Sequence, residues 1–346
     1  MRIIAMDLGK SKSVVCAYDS ESGRHTFVTI RTRPQEVHDL LVAKEPDRVV
    51  IETGAVSGWV YDLAEGLGLA VQVANTNHAI WRWQMNPKKT DRADALKLAR
   101  LSALGQLPTV HMPTRAVRQW RSLIEYRQSL VARRTAIKNR VRGILTGEGL
   151  AWKGGKSGWT REALEGLERM CCELASVEED SLWRGQLAVE LEQLASVEKA
   201  LAEVTAKLDG LGSKKEPVRL LRSVPGVGAR LAEAVVASLD TPHRFAGGKQ
   251  VGSYAGLAPR QYQSGEQDRK GRISGHGNST LRALLVEVSW LMLRWNAWAR
   301  DTYARLLRGC GGRKKVAIVG LARKLLVRLW AMWRDGTPWR DTTAVT

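Results

Sequence analysis

The hydrophobic residues of the first hundred positions fall in short blocks with a period near two, separated by polar and glycine turns. Arg2–Asp7, Ser13–Tyr18 and Thr26–Arg31 read as three strands, with Gly9 and Gly23 in the turns between them. A helix is predicted over Pro34–Ala43, then a strand at Arg48–Thr53 and a helix near Gly58–Leu67. A strand at Ala70–Ala74 and a helix over Thr90–Ala103 follow. Three strands and then alternating helix and strand is the order of a ribonuclease-H-like α/β fold.

Beyond this the period becomes helical. Thr114–Leu145 predicts one long amphipathic helix, with Ile124 and Val131 on one face and Leu130, Ile137 and Ile144 also aligned. Its other faces carry Arg115, Arg118, Arg121, Arg127, Arg133, Arg134, Lys138, Arg140 and Arg142 against Glu125 alone. A solvated face ordinarily mixes signs; one sign along a helix repels itself and points to phosphate. Lys153-Gly154-Gly155-Lys156-Ser157-Gly158 reads as a linker, since no strand leads into it and the spaced glycine-to-lysine pattern of a phosphate loop is missing. Charge then reverses: Arg161–Asp209 holds twelve acidic and five basic residues. Leu187, Leu194, Leu201 and Leu208 recur every seven residues, with Val197, Val204 and Leu211 in complementary positions. That repeat predicts a coiled-coil arm whose acidity suits a protein partner; the plainer alternative is a helical hairpin packed on its own domain.

After Lys214–Pro217, Val224-Pro225-Gly226-Val227-Gly228 stands between two helical stretches, the second being Ala229–Leu239. This is a helix-hairpin-helix pattern. Gly226 and Gly228 allow a tight turn whose backbone N–H groups can hold a phosphate, although the same turn can be purely structural.

Composition narrows the partners. The 346-residue chain is long enough for two or three domains. Its formal charge of +19 and pI near 10.1 favour a polyanion such as nucleic acid. Cys16, Cys171, Cys172 and Cys310 have neither metal spacing nor a disulfide framework, which fits a reducing cytoplasm. No signal peptide, polybasic anchor or membrane-length apolar run is visible.

Four acids then stand out. Asp7 and Glu52 end the apolar runs Ile3–Met6 and Val49–Ile51. Asp91 and Asp94 lie three apart where the Thr90–Ala103 helix begins, so they share a helical face. Clustered carboxylates repel unless they hold a cation, and hard oxygen ligands suit Mg2+. A second centre is the basic, glycine-rich loop in which Tyr254–Arg260 leads to Gln263-Ser264-Gly265 and Arg269–Ser274, ending at His276–Arg282. Ser264, beside Gly265, is a candidate nucleophile there, with Arg260, Arg269, Lys270 and Arg272 as phosphate clamps. Taken alone, a Ser-Gly pair is usually a turn, and Ser253, Ser274 and Ser279 compete with it.

In order along the chain, Ala5-Met6-Asp7-Leu8-Gly9-Lys10, Ile51-Glu52-Thr53, Lys89–Ala95, Pro225–Gly228, Gly256-Leu257-Ala258-Pro259, Ser264-Gly265 and Gly277–Arg282 resemble one family. They are similar to the DEDD-type transposases of the "one-ten" insertion sequences, the bridge-RNA-guided serine recombinases. The resemblance implies a RuvC-like catalytic domain with its basic helix at 1–150, a coiled-coil arm at 151–212, and a mostly helical C-terminal transposase domain at 213–346. It implies Mg2+ on Asp7, Glu52, Asp91 and Asp94, and Ser264 as the residue that joins covalently to DNA. It further implies donor and target DNA, a noncoding guide RNA, and a homodimer or homotetramer in the bacterial cytoplasm at the nucleoid. Gly9, the Ser11-Lys12-Ser13 run and the tail past Trp330, with Trp333 and Trp339, depart from the pattern.

Three other readings compete. A structure-selective, resolvase-type endonuclease would use the same acids with water as nucleophile. An ATP-binding protein of the actin/sugar-kinase type would explain Asp7-Leu8-Gly9-Lys10, against the basic charge. A non-catalytic scaffold would leave the four acids without a purpose.

Overall fold

A computed structural model describes residues 1–76, 78, 90–152, 155, 157–264, 267–309 and 311–340, with backbone alone for 261–264 and 267–270. Lys89, Lys153, Gly154, Lys156, Gly265 and Cys310 lie outside the described residues. The chain divides into two compact units, Met1–Ala116 and Val117–Thr346.

The first unit is built on five strands: β1 (Arg2–Leu8), β2 (Lys12–Asp19), β3 (His25–Arg31), β4 (Arg48–Glu52) and β5 (Ala70–Ala74). Their order is β3-β2-β1-β4-β5. β1–β2 and β2–β3 are antiparallel, whereas β4 runs parallel to β1 and β5 to β4. This mixed sheet is the ribonuclease-H-like arrangement that the element order predicts. Side-chain alternation sorts the apolar runs onto two faces. Ile4, Met6, Val49 and Ile51 pack with Val37 and Leu41 of α1 (Pro34–Lys44) and Val60 and Ala64 of α2 (Ser57–Gly66). Ile3, Ala5, Cys16 and Val50 pack with Ala95, Leu98 and Ala99 of α3 (Asp91–Ala103). Both faces are covered, so β1 and β4 read as continuous apolar runs.

The second unit is mostly helical. It comprises α4 (Arg115–Gly147), α5 (Arg161–Glu168), α6 (Leu182–Ser213), α7 (Glu216–Arg222), α8 (Ala229–Leu239) and α9 (Gly248–Tyr254). After these come the antiparallel ribbon β6 (Pro259–Ser264) and β7 (Gln267–Ile273), then α10 (Ser279–Trp295), α11 (Ala297–Leu307) and α12 (Lys314–Asp335). The core gathers around α12, where Leu321, Ala322, Leu325, Leu326 and Leu329 are fully buried. No helix among the described residues is long and apolar enough to cross a membrane.

The leucine heptad lies on α6, and its partner is α4. Leu187 packs with Val141 and Leu145, while Leu208 at the other end shares a cluster with Trp120. Between them Lys138 pairs with Glu198 at 3.0 Å and Arg127 donates to Thr205 at 2.9 Å. The partner numbers fall on α6 as they rise on α4, so the two helices run antiparallel for roughly 30–40 Å. The basic helix and the acidic helix neutralise part of each other's charge.

One expectation changes. The Pro259–Ser274 segment is largely an ordered β-ribbon, with Ser264 opposite Gln267 at the end of its ladder. Its polar residues on alternate positions form a two-stranded ladder, for which backbone hydrogen bonds suffice without an apolar face.

Leu208 is fully buried where α6 meets the C-terminal core. Leu208→Ala is expected to cost about 2–5 kcal/mol of unfolding free energy. Urea titration should show a lower midpoint at an unchanged slope.

Candidate nuclease centre and nucleic-acid contacts

Two backbone facts place the four acids. In the parallel β1–β4 ladder Met6 stands opposite Ile51, so Asp7 and Glu52 follow as neighbours at the carboxyl ends. Asp7 continues the Ile3–Ala5 face and Glu52 the Val50 face, the side of the sheet that α3 covers. The direction of α3 is set at its far end. Arg48, the first residue of β4, donates to the Ser102 carbonyl at 3.3 Å, and Ser102 Oγ donates to Gln72 at 2.7 Å. The last turn of α3 therefore sits at the amino end of β4. Its first turn, carrying Asp91 and Asp94, lies toward the carboxyl edge with Asp7 and Glu52.

The helix begins there for a local reason. Thr90 is extended, and its Oγ1 accepts the Ala93 N–H at 3.2 Å, a standard N-cap. Acids in that first turn also complement the helix dipole. Ala95, Leu98 and Ala99 then face the sheet, anchoring the turn above them.

Asp7, Glu52 and Asp94 are half-buried, and Asp91 is exposed. Among the described residues no three His, Cys, Asp or Glu groups stand ready as a metal cage. The fold supplies convergent backbones and a hard, all-oxygen donor set. That donor chemistry fits a divalent cation of the magnesium kind. Cys16, buried on the same face, has its thiol pushed up to about 11 by burial and is inert packing.

In the second unit the helix-hairpin-helix forms as the glycine pattern predicts. Gly226 adopts φ +95°, and a side chain there would meet Met292 Cγ at 2.8 Å. Asn296 Nδ2 donates to the Pro225 carbonyl at 3.2 Å, buttressing the turn from within. Gly226 and Gly228 face outward, and no side chain caps the amino end of α8. Glycines elsewhere serve close packing. Side chains at Gly256 and Gly277 would collide with the His276 and Tyr254 carbonyls, and Asn278 caps α10 by accepting the Leu281 N–H at 2.9 Å.

The predicted basic contacts divide. Arg121 turns inward: its guanidinium donates to the Ala237 and Ser238 carbonyls, capping the carboxyl end of α8. Burial pushes its pKa down. Arg127 and Lys138 reach α6, and Arg140 approaches Glu190 at 3.4 Å. Arg142 bonds Asn139 and lies over the Trp159 ring. Arg115 and Arg133 are exposed, while Arg118 and Arg134 are half-buried. In the ribbon Arg260 donates to the Ser274 carbonyl at 3.2 Å, and Arg272 is exposed. Arg269 and Lys270 lie on β7 opposite Tyr262 and Gln261.

One ionic cluster went unread in the sequence. Glu233 of α8 is 1 % exposed and bonds Arg230, which also pairs with Asp209 of α6. The approach is close because residue 212 is glycine; a Cβ there would lie 2.5 Å from Glu233 Oε1. The signal was present: Glu233 is a lone acid inside the apolar run Leu231–Val236.

A five-stranded sheet of this order, with acids at the carboxyl edge of its parallel strands and a strongly basic helical unit beside it in sequence, defines a nucleic-acid-processing enzyme of the DEDD nuclease class. The comparisons give the family. Residues 4–148 match the IS110 DEDD transposase model, and residues 218–304 match the model described as "Transposase IS116/IS110/IS902 family". The chain is similar to the transposase for insertion sequence element IS1111A of Coxiella burnetii, 27% identical over 96% of this chain and 89% of that one. It is also similar to a probable family 20 transposase of Pseudomonas aeruginosa, 29% identical over 97% and 98% of the two chains. Among solved structures, T. thermophilus RuvC in complex with a Holliday junction overlaps 32% of this chain and 99% of its own, at TM-score 0.23 and 17% identity. The chain is a transposase of the IS110/IS1111 type, with a DEDD N-terminal domain and a Transposase_20 C-terminal domain. It cleaves DNA and transfers strands, and its DEDD domain works with divalent metal.

Burial raises the Glu233 carboxyl to about 7, with Arg230 opposing the shift. A carboxyl raised in the folded state stabilises it fully below the unfolded value of 4.5. That contribution is lost as pH rises through about 7. Unfolding free energy should therefore fall between these limits, by up to roughly 3 kcal/mol. Glu233→Gln should flatten that slope relative to the unmodified chain in urea titrations across the same range.

Proposed function

We propose that this transposase is guided by a noncoding bridge RNA and recombines donor and target DNA through a covalent phosphoserine. The observation that carries its metal-dependent part is the strand register: Asp7 adjoins Glu52, and α3 brings Asp91 and Asp94 to the same edge. Those four side chains are the proposed Mg2+ ligands. When bound, the ion supplies Lewis-acid polarisation of the scissile phosphate.

Ser264 is the proposed nucleophile. Its Oγ attacks phosphorus, the bond from phosphorus to the departing strand oxygen breaks, and the serine proton is lost as that oxygen gains one. One phosphodiester is exchanged for another, so a second strand hydroxyl can reverse the step without ATP. The ordered resemblance of Gly256–Pro259, Ser264-Gly265 and Gly277–Arg282 to the serine recombinases supports this role.

The same reading divides the chain into catalytic, arm and transposase segments at 1–150, 151–212 and 213–346. It assigns Gly226 and Gly228 of the hairpin to a backbone phosphate. It assigns Arg260, Arg269, Lys270 and Arg272 of the ribbon to the phosphates flanking Ser264. On α4, Arg115 and Arg133 are the contacts best placed to meet nucleic acid; Arg121 is already committed to α8. If pairing with RNA reads the DNA, the protein needs mainly to hold backbone and shape. A homodimer or homotetramer at the nucleoid completes the proposal.

The test is to express the chain with its native flanking DNA, purify it and sequence the bound RNA. One discrete structured RNA from the flank is expected. Heterogeneous RNA, despite transcription of the flank, would remove RNA guidance. With that DNA, Asp7→Asn should lower strand cleavage by on the order of a hundred-fold or more. Ser264→Ala should abolish the covalent adduct and strand exchange. Cleavage that survives Ser264→Ala would instead identify a hydrolytic nuclease using water.

A further inference from the structure

A groove of about 650 Å³ lies between α9, α11 and α12 in the second unit. Five cations line it: Lys249, Arg305, Arg323, Lys324 and Arg328, together with the ring of Trp298. No carboxylate is among its lining residues. Among the described residues no ion pair holds Lys249, Arg305, Arg323 or Lys324. Arg305 makes long contacts, at 3.4 Å, to Asp301 and Thr302 of its own helix.

The groove is built by glycines. Side chains at Gly248 and Gly252 of α9 would meet Val327 Cγ1 at 2.6 Å and Arg323 Nε at 2.8 Å on α12. A side chain at Gly320 of α12 would meet Leu306 of α11 at 3.1 Å. Three helices thus approach closely enough to gather cations that repel one another, a cost that an anionic ligand offsets. One wall is fixed by the chain's tail. Arg328 lies 4.9 Å from the Trp298 ring and 3.6 Å from the Trp339 ring, and it donates to the Arg340 carbonyl. The two indoles meet edge to face at 5.4 Å.

We infer that this groove binds a single nucleic-acid strand, with phosphates on the cations and a base against the Trp298 wall. Its volume falls in the range of pockets for small ligands, about 300–1,000 Å³. That admits a nucleotide unit and not the width of a duplex. Cations beside an aromatic surface are the usual means of holding an unpaired strand. None of its lining residues belongs to the acids, the hairpin or the ribbon. It gives the Trp-rich tail, which matched nothing in the family pattern, a task.

The experiment titrates the full chain against labelled single-stranded DNA, single-stranded RNA and duplex DNA of one sequence, at several salt concentrations. Lys249 and Lys324 are exposed, so the Lys249→Gln/Lys324→Gln double variant should keep the fold, checked by its melting curve. Single-strand affinity is expected to fall about tenfold at 0.15 M salt, and the log–log salt slope by about 0.7 per removed charge. Duplex affinity should not change, and Lys249→Arg/Lys324→Arg should restore wild-type binding. The larger loss among DNA and RNA identifies which strand the groove takes. Unchanged single-strand binding overturns the inference, as does an equal loss on duplex. The inference rests on the chain binding nucleic acid, and the wild-type titration checks that independently.

Discussion

A strand buried on both faces has no room for charge except at its ends. β1 and β4 are such strands, packed against α1 and α2 on one side and α3 on the other. Moving Asp7 two residues inward, to the position of Ala5, would put a carboxylate into a fully buried site without a partner, a cost of several kcal/mol. The carboxyl edge of the parallel pair is where an acid can be tolerated, and parallel pairing puts two such edges side by side. The third element has to arrive there from outside the sheet. α3 does so because its last turn is tied to Arg48 and Gln72 and its first turn is capped by Thr90. The acidic edge is thus a consequence of how the sheet is covered.

The second unit solves a different problem, a large excess of positive charge. α4 would repel itself if its arginines all faced solvent. Part of the excess is taken up inside the protein: Arg121 caps α8, and Arg127, Lys138 and Arg140 reach side chains on α6. The exposed pairs contribute little individually, about 0–1 kcal/mol. Their value is directional, because opposite charge on the two helices favours their antiparallel register over a like-charged alternative. The cations not consumed this way are the ones left for phosphate.

These two cases explain what the sequence could show. The strands, the three helices over the sheet and the hairpin glycines were legible because each rests on a local pattern: alternation, a cap residue, or a backbone shape only glycine adopts easily. The acids were legible because a charge ending an apolar run is conspicuous. What was not legible depends on partners distant in sequence. Nothing near Arg121 says that it will cap a helix more than a hundred residues away. The leucine heptad on α6 announced a seam but not that α4 would fill it. The ribbon around Ser264 was read as a loop because its strands lack an apolar face, so the alternation that marks other strands carries no burial signal there.

Placing the acids on strand ends and the candidate nucleophile on a ribbon has a mechanistic consequence. The acid positions are fixed by a doubly covered sheet, a rigid frame for carboxylates gathered at one edge. A two-stranded ribbon is held by its own ladder and is marginal in isolation. Among the described residues its two strands pair only with each other. In the proposed phosphoserine reaction, the carboxylates on the rigid sheet would stabilise charge while Ser264, on a separate ribbon, bonds to the strand.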